Sequence, residues 1–161
     1  MIVVGVDPGP EESSWVAWAP EHHRIVDFVG EDKNESLIKR LTFEGFNCDV
    51  LAIEQVRGFG VMASDKLFDT CAWSGRFFER WGANRSAWVP RKIAAAHICG
   101  VGGISKDSFV REAILARFGG KDAAVGTKKA PGPLYGISGH LWPALAVAIT
   151  WSEKYGRPNH D

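Results

Sequence analysis

The sequence predicts an α/β domain in which helices cover a mixed, five-stranded central sheet. Two apolar runs, IVVGVD (2–7) and DVLAIEQV (49–56), have the composition of buried strands, and each carries an acid at or near its end. Two further runs, 13–20 and 23–30, alternate or nearly alternate apolar residues and are separated by only two residues, which is typical of an antiparallel hairpin. Because helical patterns separate or follow the strands, a layered α/β architecture is favoured.

The first half of the chain is predicted to hold four strands and one helix. A PGP turn after Asp7 ends the first strand, and the hairpin places three strands side by side. The segment NESLIKRL predicts a helix that begins at Asn34, a residue type that favours the N-cap. The run 49–56 is apolar up to Ile53, so we expect it to form a buried parallel strand.

A long segment, Val61 to Trp81, is predicted to form the main packing helix. Its apolar residues fall on one helical stripe, formed by Leu67, Phe68, Cys71, Ala72, Gly75 and Phe78. The run SAWVP (86–90) predicts the fifth strand, and Arg91 begins a short helix.

The C-terminal third is predicted to hold two more helices joined by a long loop. The pattern SKDSFVREAILARFG predicts an amphipathic helix with Ser105 or Asp107 as its N-cap and Gly119 as its stop. The glycine-rich and proline-rich segment 119–139 predicts a mobile surface loop. The last helix is predicted from about His140 to Tyr155.

Length and composition are those of one globular domain, which we expect to span residues 1–161. Apolar residues make up 45% of the 161 residues and charged residues 24%, and the longest apolar runs are too short to cross a bilayer. The N-terminus lacks the pattern of a secretory leader, so we expect a cytoplasmic protein. The cysteines suit a reducing compartment, and we expect all three to be buried thiols: Cys48, Cys71 and Cys99.

The formal net charge is zero, so the molecule as a whole does not attract nucleic acid electrostatically. Any nucleic-acid binding therefore depends on local basic patches.

Two acids stand at comparable places in the predicted sheet. Asp7 ends the first strand and Glu54 lies near the end of the fourth, and sites in open α/β sheets form at the carboxyl ends of neighbouring strands. Two adjacent carboxylates repel each other, and a divalent cation between them relieves the repulsion. Each acid taken singly is also compatible with a structural role, bound to a loop amide or a lysine.

Several blocks of the sequence resemble a known family. IVVGVDPGP, VLAIEQV and GHLWPALAVAIT, in this order, resemble the three-part signature of RuvC-type Holliday junction resolvases, which have the RNase H-like fold. FDTCAWSGRF, KDSFVREAILARFG and KKAPGPLYGIS resemble the phage-borne branch of that family. The resemblance implies a homodimeric endodeoxyribonuclease in a bacterial or phage-infected cell, in which each subunit nicks one strand of a four-way DNA junction.

The resemblance also implies a metal site. Family members hold two Mg²⁺ or Mn²⁺ ions per subunit, with a carboxylate on the first strand, an acid on the fourth and ligands at the start of the last helix. Asp7, Glu54 and His140 match these catalytic and metal-binding places. The family's usual fourth carboxylate lies three residues after His140, where this chain has Pro143.

Candidate DNA-binding residues follow from the resemblance to this family and from the positive charge of basic side chains. Phe59, in the RGFG loop after Glu54, resembles the aromatic residue that the family inserts at the junction, although packing onto the core is an equal alternative. Basic side chains at a strand end, a helix start and a loop are candidates for phosphate contacts, namely Arg91, Lys92, Lys106, Lys128 and Lys129.

Some alternatives remain open from the sequence. Pro143 in place of an acid is compatible with a homologue that binds junctions without cleaving them. An RNase H-type hydrolase of RNA/DNA hybrids would have the same fold. The apolar stripe of the Val61–Trp81 segment is compatible with a core face, a dimer face or both.

Overall fold

A computed structural model of the chain describes residues 1–43, 47–57, 64–100 and 106–156. The strands are β1 (Val3–Asp7), β2 (Glu12–Ala19), β3 (Arg24–Lys33), β4 (Val50–Gln55) and β5 (Ser86–Pro90). The helices are α1 (Asn34–Leu41), α2 (Asp65–Trp81), α3 (Arg91–Cys99), α4 (Asp107–Arg117), α5 (Lys121–Ala124) and α6 (Leu141–Lys154).

The five strands form one mixed sheet in the order β3-β2-β1-β4-β5. β1, β2 and β3 pair antiparallel, whereas β4 pairs parallel with both β1 and β5. The predicted hairpin turns through a short 3₁₀ helix, Pro20–His22, after which His23 takes the left-handed conformation with φ of 48°. The sequence-based prediction of a mixed five-stranded α/β sheet is confirmed.

Alternation along the strands divides the core between the two faces of the sheet. Val4 and Val6 of β1 point to the face covered by α1 and α2. Val3 points to the opposite face, where α3, α4 and α6 pack, together with Ala52 of β4. The prediction of helices on both faces is therefore also confirmed.

Helix α1 begins at Asn34, but the predicted capping role of this residue is wrong. Lys33 is the N-cap, and its side chain makes no capping hydrogen bond. The Asn34 side chain is instead buried and bonded to the loop after β1. The amide gives the buried Ser13 hydroxyl an acceptor, and a buried donor without an acceptor would cost about 1–3 kcal/mol.

The predicted apolar stripe of α2 faces the core only in part, through the half-buried Phe78. The buried residues of this helix are Thr70, Ser74, Phe77 and Trp81. Phe68 is 63% exposed, and Cys71, predicted to be a buried thiol, is exposed as well. The hydroxyls of Thr70 and Ser74 can be buried because each donates to a backbone carbonyl one turn earlier.

The segment 119–139, predicted to be a loose surface loop, packs against the domain. Leu134 and Ala124 are completely buried, and the Pro133 carbonyl accepts a hydrogen bond from the Ile25 amide of β3. Ala124 lies in the short helix α5, which the glycine-rich composition concealed. Within the described residues, no helix is both long and apolar enough to cross a membrane.

Candidate active site

Parallel pairing of β1 with β4 places two acids next to each other. Val6 lies opposite Ile53 in the sheet, so Asp7 and Glu54 are the next residues along the two strands. Both side chains line one cleft at the carboxyl ends of these strands. The structure thus brings together the two acids that the sequence singled out.

The alternation of the strands directs both acids toward the face that carries α6. Asp7 shares the face of Val3 and Gly5, and Glu54 shares the face of Ala52. Gly5 allows α6 to lie against the strand, because a Cβ built there would stand 2.0 Å from the Ala144 carbonyl oxygen. The absence of a side chain at Gly5 therefore sets how closely the start of α6 approaches the two acids.

Burial and mutual repulsion make the ionised pair costly. Burial, followed by the Glu54 carboxylate, raises the pKa of Asp7 from 3.8 to about 7, although Arg91 acts in the opposite direction. Burial also raises the pKa of Glu54, again against the effect of Arg91. A site that holds both carboxylates ionised at neutral pH therefore needs additional positive charge.

Arg91 supplies one positive charge to this cluster. Its guanidinium donates to Glu54 Oε1 over 3.3 Å and to the carboxylate of Asp107 through its other terminal nitrogen. Burial acts to lower the pKa of Arg91, but the surrounding carboxylates outweigh it and raise that pKa. Arg91 is the first residue of α3, directly after β5, so the parallel pairing of β5 with β4 carries it to Glu54.

The loop that follows Asp7 is fixed by a buried polar network. The Ser13 hydroxyl donates to Asn34 Oδ1 over 2.6 Å, and Asn34 Nδ2 donates to the Gly9 carbonyl over 3.0 Å. The Gly9 amide in turn donates to the Ser13 hydroxyl over 3.2 Å. Three segments of the chain thereby hold the turn that ends β1, and with it the position of Asp7.

The cleft above the acids has a volume of about 540 Å³. Its wall carries three cationic residues, Arg57, Arg91 and Lys92, and Gln55 with apolar groups between them. Arg57 donates to Gln55 Oε1 over 2.8 Å, which orders the rim beyond β4. A cleft with acids at its floor and cations on its wall suits a polyanion whose backbone must approach the carboxylates.

His140 and Pro143 occupy different surroundings at the start of α6. His140 is the exposed N-cap residue and does not line the cleft of Asp7. Pro143, one turn later, lines a small crevice together with Glu54, Arg91 and Asp107. The place where the resembling family has an acid thus lies beside Glu54, and Asp107 of α4 reaches the same crevice.

The predicted capping role of Asp107 is wrong, and the alternative cap, Ser105, lies outside the described residues. Lys106 is the N-cap of α4 and makes no side-chain capping bond, whereas Asp107 is the first helical residue and pairs with Arg91. Lys106 therefore precedes a residue that lines the crevice, Asp107, but Lys106 itself does not line the cleft.

The remaining DNA-binding candidates lie elsewhere. Lys128 and Lys129 are exposed in the turn between Gly126 and Pro131, and neither lines the cleft. Phe59, with the rest of the RGFG loop after Arg57, lies outside the described residues.

Asp7 and Glu54 fit a divalent cation by the chemistry of their donors. Carboxylate oxygens are the preferred ligands of hard cations, and a cation would relieve the repulsion that raises the pKa of Asp7. Across the residues described here, no group of three His, Cys, Asp or Glu side chains is arranged to hold a metal ion. The pair therefore fits as part of a ligand set that water or a bound ligand completes.

Sheet order, mixed strand pairing and the two strand-end acids define an α/β fold of the RNase H-like type. No protein-family model matches the sequence, and no curated protein is significantly similar to it. Among the solved structures that resemble the fold are two of RuvC and one of a viral Holliday junction resolvase.

The chain is similar to Thermus thermophilus RuvC in complex with a Holliday junction substrate, with a TM-score of 0.66 and 18% identity over 94% of this chain and 93% of RuvC. A second T. thermophilus RuvC structure gives a TM-score of 0.59 and 18% sequence identity over 97% of each chain. The Fowlpox virus resolvase in complex with Holliday junction DNA gives a TM-score of 0.51 and 12% sequence identity, and the match covers 98% of this chain and 100% of the resolvase chain. The fold is thus that of RuvC, as predicted.

Sequence reasoning missed two features of this site. It did not find the role of Asn34, because the same residue type before a helical pattern also predicts an N-cap. It did not pair Arg91 with both Glu54 and Asp107, because only the parallel arrangement of β4 and β5 and the packing of α4 bring these three residues together. The one available signal was a basic residue directly after a predicted strand.

Proposed function

We propose that this protein is a structure-selective endodeoxyribonuclease of the RuvC type that depends on a divalent cation and resolves Holliday junctions by paired nicks. The observation that carries the proposal is the pair formed by the half-buried Asp7 and the buried Glu54, side by side at the carboxyl ends of β1 and β4 in a RuvC fold. On this proposal, residues 1–161 form a single nuclease domain, similar to the phage-borne branch of the family.

Asp7 and Glu54 would hold Mg²⁺ or Mn²⁺, two ions per subunit, with Asp7 shared between them. Bound cations would activate the attacking water and neutralise the leaving oxygen. Rigid strand ends fix both carboxylates before substrate arrives, and the network of Ser13, Asn34 and Gly9 fixes the turn after Asp7. His140 is the proposed third ligand, from the N-terminus of α6.

The DNA backbone would enter the 540 Å³ cleft. Arg91 and Lys92 lie on its wall and would contact the phosphates that flank the scissile bond. Lys106, Lys128 and Lys129 would contact the arms of the junction farther out, and Phe59 would stack on a base at the crossover.

The proposed homodimer would form through the exposed face of α2. Phe68, Cys71 and Ala72 expose an apolar strip on this helix. The neighbouring Phe78 stacks on Trp88 of β5 with ring centroids 4.8 Å apart, so the strip continues onto a rigid aromatic surface. Burial of such a strip against its copy would give two active sites for the two strands to be nicked.

A nicking assay on a synthetic four-way junction with Mn²⁺ tests the proposal. We expect the wild-type protein to nick two strands of the junction, and Asp7→Asn and Glu54→Gln to reduce the rate by at least about 100-fold. Asp122→Asn, which removes an exposed acid from α5, is the matched control and is expected to keep full activity. A linear duplex and an RNA/DNA hybrid of the same sequence serve as substrate controls.

Lack of cleavage by the wild type with every divalent ion, or equal cleavage by Asp7→Asn, would overturn the assignment. Preference for the hybrid would instead favour an RNase H-type hydrolase.

Pro143 favours a second candidate function, a junction-binding homologue that does not cleave. The crevice beside Glu54 has a proline where the family has an acid, and His140 is exposed outside the cleft. Junction binding without cleavage under any divalent ion would support this candidate. Calorimetric titration that gives two Mn²⁺ ions per subunit would count against it.

A further inference from the structure

Arg91 is shared between a buried carboxylate and an exposed one. The Glu54 side chain is 9% exposed, that of Arg91 40% and that of Asp107 60%. Glu54 has lost most of its hydration, so it depends on a nearby positive charge, whereas Asp107 is solvated and has little need of one. The pairing with Asp107 therefore acts mainly on Arg91.

The position of Arg91 conflicts with a cation at Glu54. The guanidinium donates to Glu54 Oε1 and lies in the cleft that Asp7 and Glu54 also line. A divalent cation at Glu54 would be repelled by a guanidinium at hydrogen-bond distance from the same carboxylate. Asp107 offers Arg91 an alternative partner in the small crevice beside the cleft, because each terminal nitrogen of Arg91 already donates to one of the two acids.

We propose that Arg91 is the counter-ion of Glu54 until a divalent cation binds, and that Asp107 is a positioning residue that holds Arg91 away from Glu54 when the cation arrives. This inference rests on the proposed function, because the cation is that of the nuclease site. Arg91 held by Asp107 remains on the cleft wall, where it can contact a phosphate.

The proposal predicts effects of opposite sign for the two partners. Removal of Arg91 removes a competitor, so Mn²⁺ affinity increases. Removal of Asp107 leaves Arg91 with Glu54 alone, so Mn²⁺ affinity decreases. Once Arg91 is absent, the loss of Asp107 has little further effect, because the action of Asp107 passes through Arg91.

Calorimetric titration of the DNA-free protein, residues 1–161, with MnCl₂ tests this as a double-mutant cycle. We expect Arg91→Gln to tighten Mn²⁺ binding about tenfold and Asp107→Asn to weaken it about fivefold, values typical of coupling between two sites. Asp107→Asn in the Arg91→Gln background is expected to change affinity less than about twofold. Asp107→Glu, which keeps the charge, is expected to restore most of the affinity.

Glu112→Gln is the matched control, because it removes an exposed acid of the same helix whose partner is the neighbouring Arg111. It is expected to leave Mn²⁺ affinity unchanged. Circular dichroism verifies that each variant is folded, and Arg91→Lys, which keeps the charge, replaces Arg91→Gln as the test if the latter does not fold. For Arg91→Lys the proposal predicts an affinity within about threefold of the wild type, because the competing charge remains.

Several results would overturn the inference. Weaker binding by Arg91→Gln would make Arg91 a supporting group and not a competitor. An equal loss from Asp107→Asn in both backgrounds would make Asp107 a direct ligand. Absence of Mn²⁺ binding by the wild type would also overturn it, whereas the predicted couplings without junction cleavage would overturn the proposed nuclease function alone.

Discussion

Arg91 donates a hydrogen bond to Glu54 over 3.3 Å, although 37 positions of sequence separate the two residues. The contact arises because β4 and β5 are parallel neighbours, and Arg91 follows β5 directly. It marks the point in the fold where negative charge is concentrated, since Asp7 stands next to Glu54 on the adjoining strand.

Asp7→Asn is expected to stabilise the metal-free protein while abolishing junction cleavage. The folded-state pKa of Asp7 is raised from 3.8 to about 7, so the folded protein binds a proton that the unfolded chain has released. The contribution of this bound proton to the free energy of unfolding is fully present below about pH 4 and is lost as the pH rises to about 7. At pH 8 the variant therefore gains up to about 4 kcal/mol in the free energy of unfolding.

Urea unfolding of both proteins between pH 4 and pH 8 measures this effect. The difference in unfolding free energy is expected to grow with pH up to about pH 7 and to remain constant above it. Asp122→Asn serves as the control and is expected to differ from the wild type by less than about 0.5 kcal/mol throughout. A difference for Asp7→Asn that does not depend on pH would contradict the burial of an ionisable Asp7.

Gly5→Ala is expected to destabilise the protein and to displace α6 from the acids. A Cβ at this position would lie 2.0 Å from the Ala144 carbonyl oxygen, a backbone atom that cannot move alone. We expect a loss of about 3 kcal/mol or more and reduced cleavage by the folded fraction. Gly75→Ala is the matched control, because nothing lies within 4 Å of its added Cβ, and in α2 it is expected to gain up to about 1 kcal/mol. Thermal and urea unfolding compare the two variants.

Asn34→Ala is expected to slow cleavage, although Asn34 does not line the cleft. The substitution removes two side-chain hydrogen bonds and leaves the Ser13 hydroxyl without its buried acceptor. We expect a loss of about 2–3 kcal/mol in unfolding free energy and slower cleavage, because the turn after Asp7 is released. Asn47→Ala, at an exposed position, is the control. Equal cleavage rates for the two folded variants would show that the network does not position Asp7.

Pro143→Asp is expected to strengthen Mn²⁺ binding. Pro143 lines the crevice beside Glu54, so an aspartate there adds a carboxylate at the edge of the site. The helix tolerates the change, because position 143 lies in the first turn of α6, where an acid interacts favourably with the helix dipole. Pro143→Ala separates the gain of a carboxylate from the loss of proline. Calorimetric affinities that are the same for the two variants would contradict this placement.

Phe68→Glu is expected to convert the proposed dimer into a monomer. Phe68 is 63% exposed on the apolar face of α2, and a charge there cannot be buried without a partner. Phe43→Glu is the matched control, because Phe43 is 71% exposed but follows α1 and does not belong to α2. Sedimentation equilibrium is expected to give a dimer for the wild type and Phe43→Glu, and a monomer for Phe68→Glu. A dimer that survives Phe68→Glu would place the interface elsewhere.

The sequence by itself determined the strands, their order along the chain and the two acids at their ends. Periodicity and composition are local properties, and the run SAWVP forms β5 with the predicted bounds, Ser86–Pro90. The position of Glu54 near the end of a buried strand was likewise predicted from the sequence, because a buried strand requires an apolar run. The resemblance to RuvC-type resolvases was carried by these same local blocks.

Only the tertiary structure decided which faces are buried and which charges meet. The stripe of α2 that contains Phe68 has the spacing of a core face, but the helix is rotated so that Phe77 is the side chain completely buried on the sheet. Of the stripe, Phe68, Cys71 and Ala72 are exposed, and Phe78 is half-buried. Asn34 bonds to the loop and not to its own helix, and Arg91 joins Glu54 to Asp107. These contacts join segments far apart in the chain, so their free energies depend on a packing arrangement that no local pattern specifies.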